Sequence, residues 1–290
     1  MRQCPTIADQ RAWTREQRQA ARTIGFVPTM GALHEGHLTL VRQAKKSCAT
    51  VVVSIFVNPT QFDRPEDFDK YPNTLAQDLA LLEQEGVDAV FLPTKEELYP
   101  NGFATFVEVV GPLTDKLCAI ARPGHFRGVS TVVAKLFNIV QPDVAVFGQK
   151  DLQQVLIVGR MVQDLDIPVR IEVGLTKREP DGLAMSSRNR RLSPAARKVA
   201  LSLPRALELA NRAFKSGEHT SLTLTNCVGE EILTNEGTDL DYADVIKLDG
   251  FKEVEFADEG CILAAAVFVD GVRLIDHVML GGPSIPVIIE

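Results

Sequence analysis

The sequence predicts an α/β protein, a Rossmann-like parallel sheet with helices on both faces, followed by a smaller C-terminal α+β domain. Three observations predict it. Short apolar runs alternate with longer stretches of helical spacing, and the central run, residues 51–57, is almost continuously apolar, as a strand covered on both faces must be. Glycine and proline mark the boundaries between runs. The pattern changes near Thr176, where a polar, arginine-bearing strip begins.

Residues 24–27 form a short β-prone run ending at Pro28. Residues 38–48 place Leu38, Val41, Ala44 and Cys48 on one helical face. After the strand at 51–57, residues 74–85 read as a helix, with Thr74 and Gln77 as a capping box and Gly86 as its stop. Residues 87–92 are a strand closed by Pro93, 129–140 a helix, 144–147 a strand, 152–165 a helix, and 169–173 a strand after Pro168. Trp13 is expected to pack from an N-terminal amphipathic helix. Alternation of this kind implies right-handed crossovers and a parallel sheet. Such sheets collect ligands at the carboxyl ends of their strands, so the segments after Val27, Val57 and Phe147 are the sites to inspect.

Residues 1–176 are expected to form the nucleotide- and substrate-binding domain, 177–191 a hinge, and 192–290 a lid-like α+β domain. The hinge contains Pro180-Asp181-Gly182 and four arginines. Ser193-Pro194 reads as an N-cap with proline in the first turn. A helix-rich stretch interrupted by Pro204 follows, then strands at 242–248, 261–269 and 272–275, the last two joined by an Asp270-Gly271 hairpin.

With 45% hydrophobic and 24% charged residues, a disordered chain is excluded. Lys plus Arg is 31 against 38 Asp plus Glu, a formal charge of -7, which argues against nucleic acid or an anionic membrane as partner. No apolar run approaches the roughly 20 residues of a membrane span. The N-terminus lacks an apolar secretory core, so a cytoplasmic location is expected. The five cysteines are scattered, without CxxC spacing, and read as reduced thiols rather than a disulfide framework or zinc site.

Four segments carry chemistry. Residues 28–37 (PTMGALHEGH) lie between a strand and a helix, a turn that aims free backbone N–H groups and a positive helix end at an anion. Gly31 and Gly36 allow close approach, and His34 and His37 are three apart. Phosphate binding, metal ligation and a structural role are all open on the residues alone. Asn58-Pro59-Thr60-Gln61 offers neutral amides at a strand end, or merely a turn opener. Gly148-Gln149-Lys150-Asp151 joins a strand to a helix. Lys150 supplies a point charge, Asp151 either caps the helix or serves the site, and Gln154 lies one turn on from Lys150. Met185-Ser186-Ser187-Arg188 brings two hydroxyls and a guanidinium suited to phosphate oxygens, or a solvated basic loop. Residues 122–128 (RPGHFRG) either touch phosphate or substrate or simply turn, while His219 and His277 read as structural. No nucleophile elbow, Walker A loop or GxGxxG is present.

In this order, PTMGALHEGH, SIFVNPTQFDRPEDFDKYP, YPNG, RPGHFRGVSTVVAKLFNIVQPD, FGQKDLQQ and DGLAMSSRN closely resemble the pantothenate synthetase (pantoate–β-alanine ligase) family of HxGH nucleotidyltransferases. The resemblance is dense from Gly25 to Arg191 and thinner afterwards. It implies condensation of (R)-pantoate with β-alanine and ATP through a pantoyl adenylate, releasing AMP and pyrophosphate. It implies a homodimer. Met30, Gly31, His34, His37, Gly148, Lys150, Asp151, Lys177, Met185, Ser186, Ser187 and Arg188 would bind ATP, with His37, His34 and Lys150 catalytic. Gln61, Gln154 and Asn58 would hold pantoate and β-alanine. Mg²⁺ would enter mainly through the ATP phosphates, with Asp78 matching a position tied to magnesium in some members. The family commonly has Glu where this chain has Gln149. A nucleotidyltransferase acting on another small carboxylate or phosphate is the alternative.

Overall fold

The computed structural model describes every residue except 63, 64, 283–287 and 290, with side chains omitted at 65, 66, 288 and 289. Asp63-Arg64 of the quoted block, and residues 283–287 and 290 of the expected C-terminal domain, therefore lie outside the described residues. The described chain divides into two units.

The first unit comprises Met1–Thr114 and Arg122–Gly174, with the two-residue strand Ile288–Ile289. Its strands are β1 (Arg2–Cys4), β2 (Ile24–Thr29), β3 (Thr50–Ile55), β4 (Ala89–Phe91), β5 (Val144–Gly148) and β6 (Arg170–Gly174). They stand in the order β1-β4-β3-β2-β5-β6, all parallel, with Ile288–Ile289 antiparallel beside β6. From β2 the chain builds outward to β3 and β4, and from β5 it builds the other way to β6. The strand order thus reverses between β2 and β5, which is where such sheets bind ligands.

Alternate residues face alternate sides. Val27, Val51, Val53, Val144 and Val146 pack with Leu40, Val41 and Ala44 of the Glu35–Ser47 helix and Leu82 of the Leu75–Gln84 helix. On the other face Phe26 meets Phe137 of the His125–Val140 helix at a centroid distance of 6.4 Å, and Phe137 meets Phe147 at the same distance. Helices on both faces are therefore what the apolar strands require. Each fully buried side chain of this size contributes about 1.5–3 kcal/mol.

Local chemistry departs from the sequence reading in four places. β2 continues through Pro28 to Thr29, because β5 pairs with it only at Gly25 and Phe26 and the missing N–H costs little where that flank ends. Thr74 does not form the expected capping box; its hydroxyl donates to Asp78 instead, at 3.1 Å to Oδ1. Asp151 makes no side-chain cap on the Leu152–Asp164 helix. Pro204 interrupts nothing: it sits in the first turn of the Ser202–Lys215 helix, where its missing N–H has no helical partner to lose, and the break falls at Leu201. Gly86, at φ +65, does end its helix as read.

The second unit comprises Asp115–Ala121 and the described chain from Leu175 to Gly282. Its strands are β7 (Thr238–Lys247), β8 (Lys252–Glu253), β9 (Cys261–Val269) and β10 (Val272–Met279), antiparallel in the order β10-β9-β7-β8. Leu203, Leu207, Phe214, Leu224, Val228 and Ile232 of the helices pack on Leu263 and Val267. Asp270 and Gly271, at φ 51 and 72, form the tight turn between β9 and β10. The short 115–121 segment is held in this unit by Lys116–Glu253 at 2.6 Å and by Cys118 Sγ, 3.2 Å from the Tyr242 hydroxyl. Nothing in the sequence signals that excursion.

In the first unit a Cβ on Gly128 would lie 2.3 Å from the Thr60 carbonyl oxygen, so this helix residue is glycine because the 59–61 turn packs directly on its backbone. Gly128→Ala is expected to destabilise the protein by about 1–3 kcal/mol as the turn is pushed away. A thermal unfolding midpoint equal to wild type would contradict that packing.

Candidate functional site

The segment after β2 turns sharply before entering the Glu35–Ser47 helix. Gly31 has φ +79, and a Cβ there would stand 3.1 Å from both Asp78 Oδ2 and Ile55 Cγ2, so both conformation and space demand glycine. Ala32 follows at φ 49. Four successive backbone donors of this turn, those of residues 31–34, are already engaged. Gly31 N–H donates to Thr29 Oγ1 (3.2 Å), Ala32 N–H to Asp78 Oδ2 (2.9 Å), Leu33 N–H to Asp78 Oδ1 (2.8 Å) and His34 N–H to His37 Nδ1 (3.3 Å). The expectation of free N–H groups in this turn is corrected for residues 31–34. What it offers an anion is the positive helix end and its side chains.

The His34 and His37 rings stack with centroids 4.0 Å apart. His37 is pushed down from 6.5 to about 3, first because the surrounding protein desolvates it, then because His34 lies beside it; Lys150 adds to the effect and Asp151 opposes it. The ring is neutral at pH 7. Its Nδ1 accepts the His34 N–H, so the proton sits on Nε2, which becomes a hydrogen-bond donor.

Beyond β5, Gln149–Asp151 form a single 3₁₀ turn before the Leu152–Asp164 helix. Lys150 Nζ lies 3.5 Å from Asp151 Oδ1. β2 and β5 are adjacent parallel strands, so their carboxyl ends set the turn of His34 and His37 beside that of Lys150 and Asp151, and both of these charged residues bear on His37. Gln154 is half-buried, and its side chain has no hydrogen-bond partner among the described residues. Its neighbour Gln153 is committed, donating to the Leu113 carbonyl at 2.8 Å. Gln149 is buried.

The third strand end, after β3, supplies the amides. Asn58 Oδ1 accepts from Thr60 Oγ1 and the Tyr99 hydroxyl, both at 2.9 Å, and Asn58 Nδ2 donates to Gln61 Oε1 (3.2 Å) and the Gly128 carbonyl (3.1 Å). Gln61 Nε2 approaches Met30 Sδ at 2.8 Å, which links this strip to the His34 turn. The Gln61 carbonyl accepts from His125 Nδ1 (2.7 Å) and Arg122 Nη2 (3.2 Å). Residues 122–128, which the sequence leaves open between site and turn, thus hold Gln61 in place. Tyr99, Arg122 and His125 are supporting residues that sequence reasoning missed; YPNG and RPGHFRG were visible, but not what they grip.

Lys177, Met185, Ser186, Ser187 and Arg188 lie in the second unit. The strip expected as a hinge is a closed loop there: Met185 N–H donates to the Lys177 carbonyl (2.9 Å), and Arg178 and Ala184 form a bridge. It is fastened by Arg178–Asp276 (2.6 Å) and Arg197–Asp181 (2.7 Å). Ser186 Oγ accepts from the Arg188 N–H at 3.3 Å.

The residues do not fit a dedicated metal cage. Among the described residues no cluster of three or more His, Cys, Asp or Glu side chains is placed to hold an ion. Asp78, matched by resemblance to a magnesium position, is only 2% exposed, and both its carboxylate oxygens accept backbone N–H groups.

A family model described as pantoate-beta-alanine ligase matches residues 2–279. A pantothenate synthetase of Pelotomaculum thermopropionicum is 51% identical over 278 residues, covering 96% of this chain and 98% of the relative. Among solved structures, a pantothenate synthetase from Thermus thermophilus superposes with a TM-score of 0.91 at 43% identity, over 97% of this chain and 99% of that one. A pantoate-beta-alanine ligase from Francisella tularensis, complexed with beta-gamma ATP and beta-alanine, gives 0.82 at 33% identity, over 98% and 99%.

The depressed His37 fixes the sign of a pH effect. The unfolded chain takes up this proton below about 6.5 and the folded protein only near 3, so stability falls as pH drops through that window. His37→Asn is expected to flatten the decline. Unfolding midpoints measured from pH 7 to pH 4 test it, and identical slopes in the two proteins would refute the assignment.

Proposed function

The chain belongs to the pantoate–β-alanine ligase family and forms the C–N bond between pantoate and β-alanine with ATP, and we propose that it does so on (R)-pantoate through a pantoyl adenylate. The observation that carries this reading is the meeting of His34, His37 and Lys150 at the adjacent ends of β2 and β5.

A carboxylate is a poor acylating agent. In the first step a pantoate carboxylate oxygen attacks the α-phosphorus of ATP, and pyrophosphate leaves with the electrons of the broken P–O bond. Two anions must meet, so donors and cations are needed where charge develops. Lys150 supplies positive charge. His37 serves as a neutral Nε2–H donor rather than a charged acid, which suits a site whose polyanion already carries its counter-ions. His34 stacks on it. Met30, Gly31, Gly148 and Asp151 line the nucleotide. Gln61 and Gln154 orient pantoate by neutral amides, and Asn58 holds Gln61. In the second step the β-alanine amine, deprotonated, attacks the acyl carbon, and AMP departs with the electrons of the acyl–oxygen bond.

Lys177, Met185, Ser186, Ser187 and Arg188 are proposed as further ATP ligands, supported by the sequence resemblance. Mg²⁺ is proposed to arrive with ATP on its phosphate oxygens, in keeping with its preference for phosphates and water over all-protein sites. No described helix is long and apolar enough to cross a membrane. A homodimer in the cytoplasm is proposed from the same resemblance.

Incubation with ATP, Mg²⁺ and pantoate, with and without β-alanine, tests the reading. Pyrophosphate and AMP are expected, with pantothenate only when the amine is present. ADP, or nucleotide turnover indifferent to pantoate, would reject it. Lys150→Ala and His37→Ala should each lower kcat by about 10²–10³ in a folded protein.

A further inference from the structure

We propose that Asp78 is a positioning residue of the ATP site, setting the His34–His37 pair through the turn that precedes it, and is not a magnesium ligand. The inference rests on the ligase reading above.

The geometry is specific. Asp78 comes from the helix Leu75–Gln84 and reaches residues 45 and 46 positions earlier in the chain. Its two carboxylate oxygens take two successive N–H groups, those of Ala32 and Leu33, at 2.9 and 2.8 Å, and the Thr74 hydroxyl donates to both oxygens at 3.1 and 3.2 Å. A carboxylate has acceptor capacity on both oxygens and no donor, which is what two parallel N–H groups require. An amide would place an NH₂ against one of them, and a glutamate is a methylene too long for the same bite. Space is tight as well, since the Cβ position at Gly31 is 3.1 Å from Oδ2.

These two bonds stabilise left-handed backbone at Gly31 and Ala32. The next residue after the clamped pair is His34, whose N–H meets His37 Nδ1 and so selects the tautomer of that ring. The chain of contact runs from carboxylate to turn to imidazole within six residues. A buried carboxylate that already accepts two N–H groups and a hydroxyl, with no cluster of three His, Cys, Asp or Glu side chains among the described residues, makes a poor cage for a cation.

The test uses the full-length enzyme carrying Asp78→Asn, Asp78→Glu or Asp78→Ala, with wild type as control. Three quantities are read: hydrogen exchange at the Ala32 and Leu33 amides, kcat and KM for ATP, and the Mg²⁺ concentration giving half-maximal rate. Loss of the clamp is expected to speed exchange at those two amides and lower kcat/KM for ATP by roughly 10–100-fold, the worth of a charge-assisted bond. The Mg²⁺ half-saturation should stay at the wild-type value, and Asp78→Glu should not rescue. Unchanged exchange in Asp78→Asn, full activity in Asp78→Glu, or recovery of any variant in excess Mg²⁺ would overturn the proposal. If Asp78→Ala fails to fold, Asp78→Asn carries the measurement. Failure of the ligase reading is distinguishable, because it would appear in wild type as absence of pantothenate, whereas the exchange rates report the clamp by themselves.

Discussion

Neighbouring parallel strands must be joined by a crossover, and the crossovers from β2 to β3, from β3 to β4 and from β5 to β6 run through helices. Between β2 and β5 two such strands end next to each other, one chain then building outward to β3 and the other to β6. The helix after β2 packs with Val27, Val144 and Val146, while Phe26 and Phe147 face the opposite layer. The opening left between the two departures is where the imidazole pair and Lys150 meet. The backbone that carries these groups is therefore held by the valine core beneath it, and none of it belongs to a long free loop.

Electrostatics at that opening follows from desolvation. An imidazole beside a second imidazole and a lysine gives up its proton readily, and the surrounding protein removes the water that would have favoured charge. A neutral ring with a defined tautomer is a directional donor. Positive charge is left to the lysine, whose flexible stem suits a point contact with phosphate. The proposed function divides the labour between a directional neutral donor in the turn after β2 and a cation in the turn after β5.

How much was legible beforehand can be traced residue by residue. The runs at β3 and β9 announced themselves as strands because burial on both faces leaves no room for polar alternation. Asp270-Gly271 was legible because few pairs tolerate two positive φ values in succession. His34, His37, Lys150, Asn58 and Gln61 were singled out from their place at strand ends and from the family resemblance, and the structure sets them at the ends of β2, β3 and β5. What escaped was long-range. The Thr74 hydroxyl had two equally local uses, and only the approach of the 31–33 turn decides that it serves Asp78. Tyr99 and His125 reach Asn58 and Gln61 across gaps of 41 and 64 residues, a distance no spacing rule covers. The excursion of 115–121 has no local signature either.

Four successive amides of the turn, those of residues 31–34, are spent on the fold, and that has an evolutionary consequence. A ligand cradled by main-chain donors is nearly immune to substitution, since every amino acid but proline presents the same N–H. With those donors committed, side chains are left to carry more of any recognition at this turn, and side chains can drift by single codon changes while the scaffold stays intact.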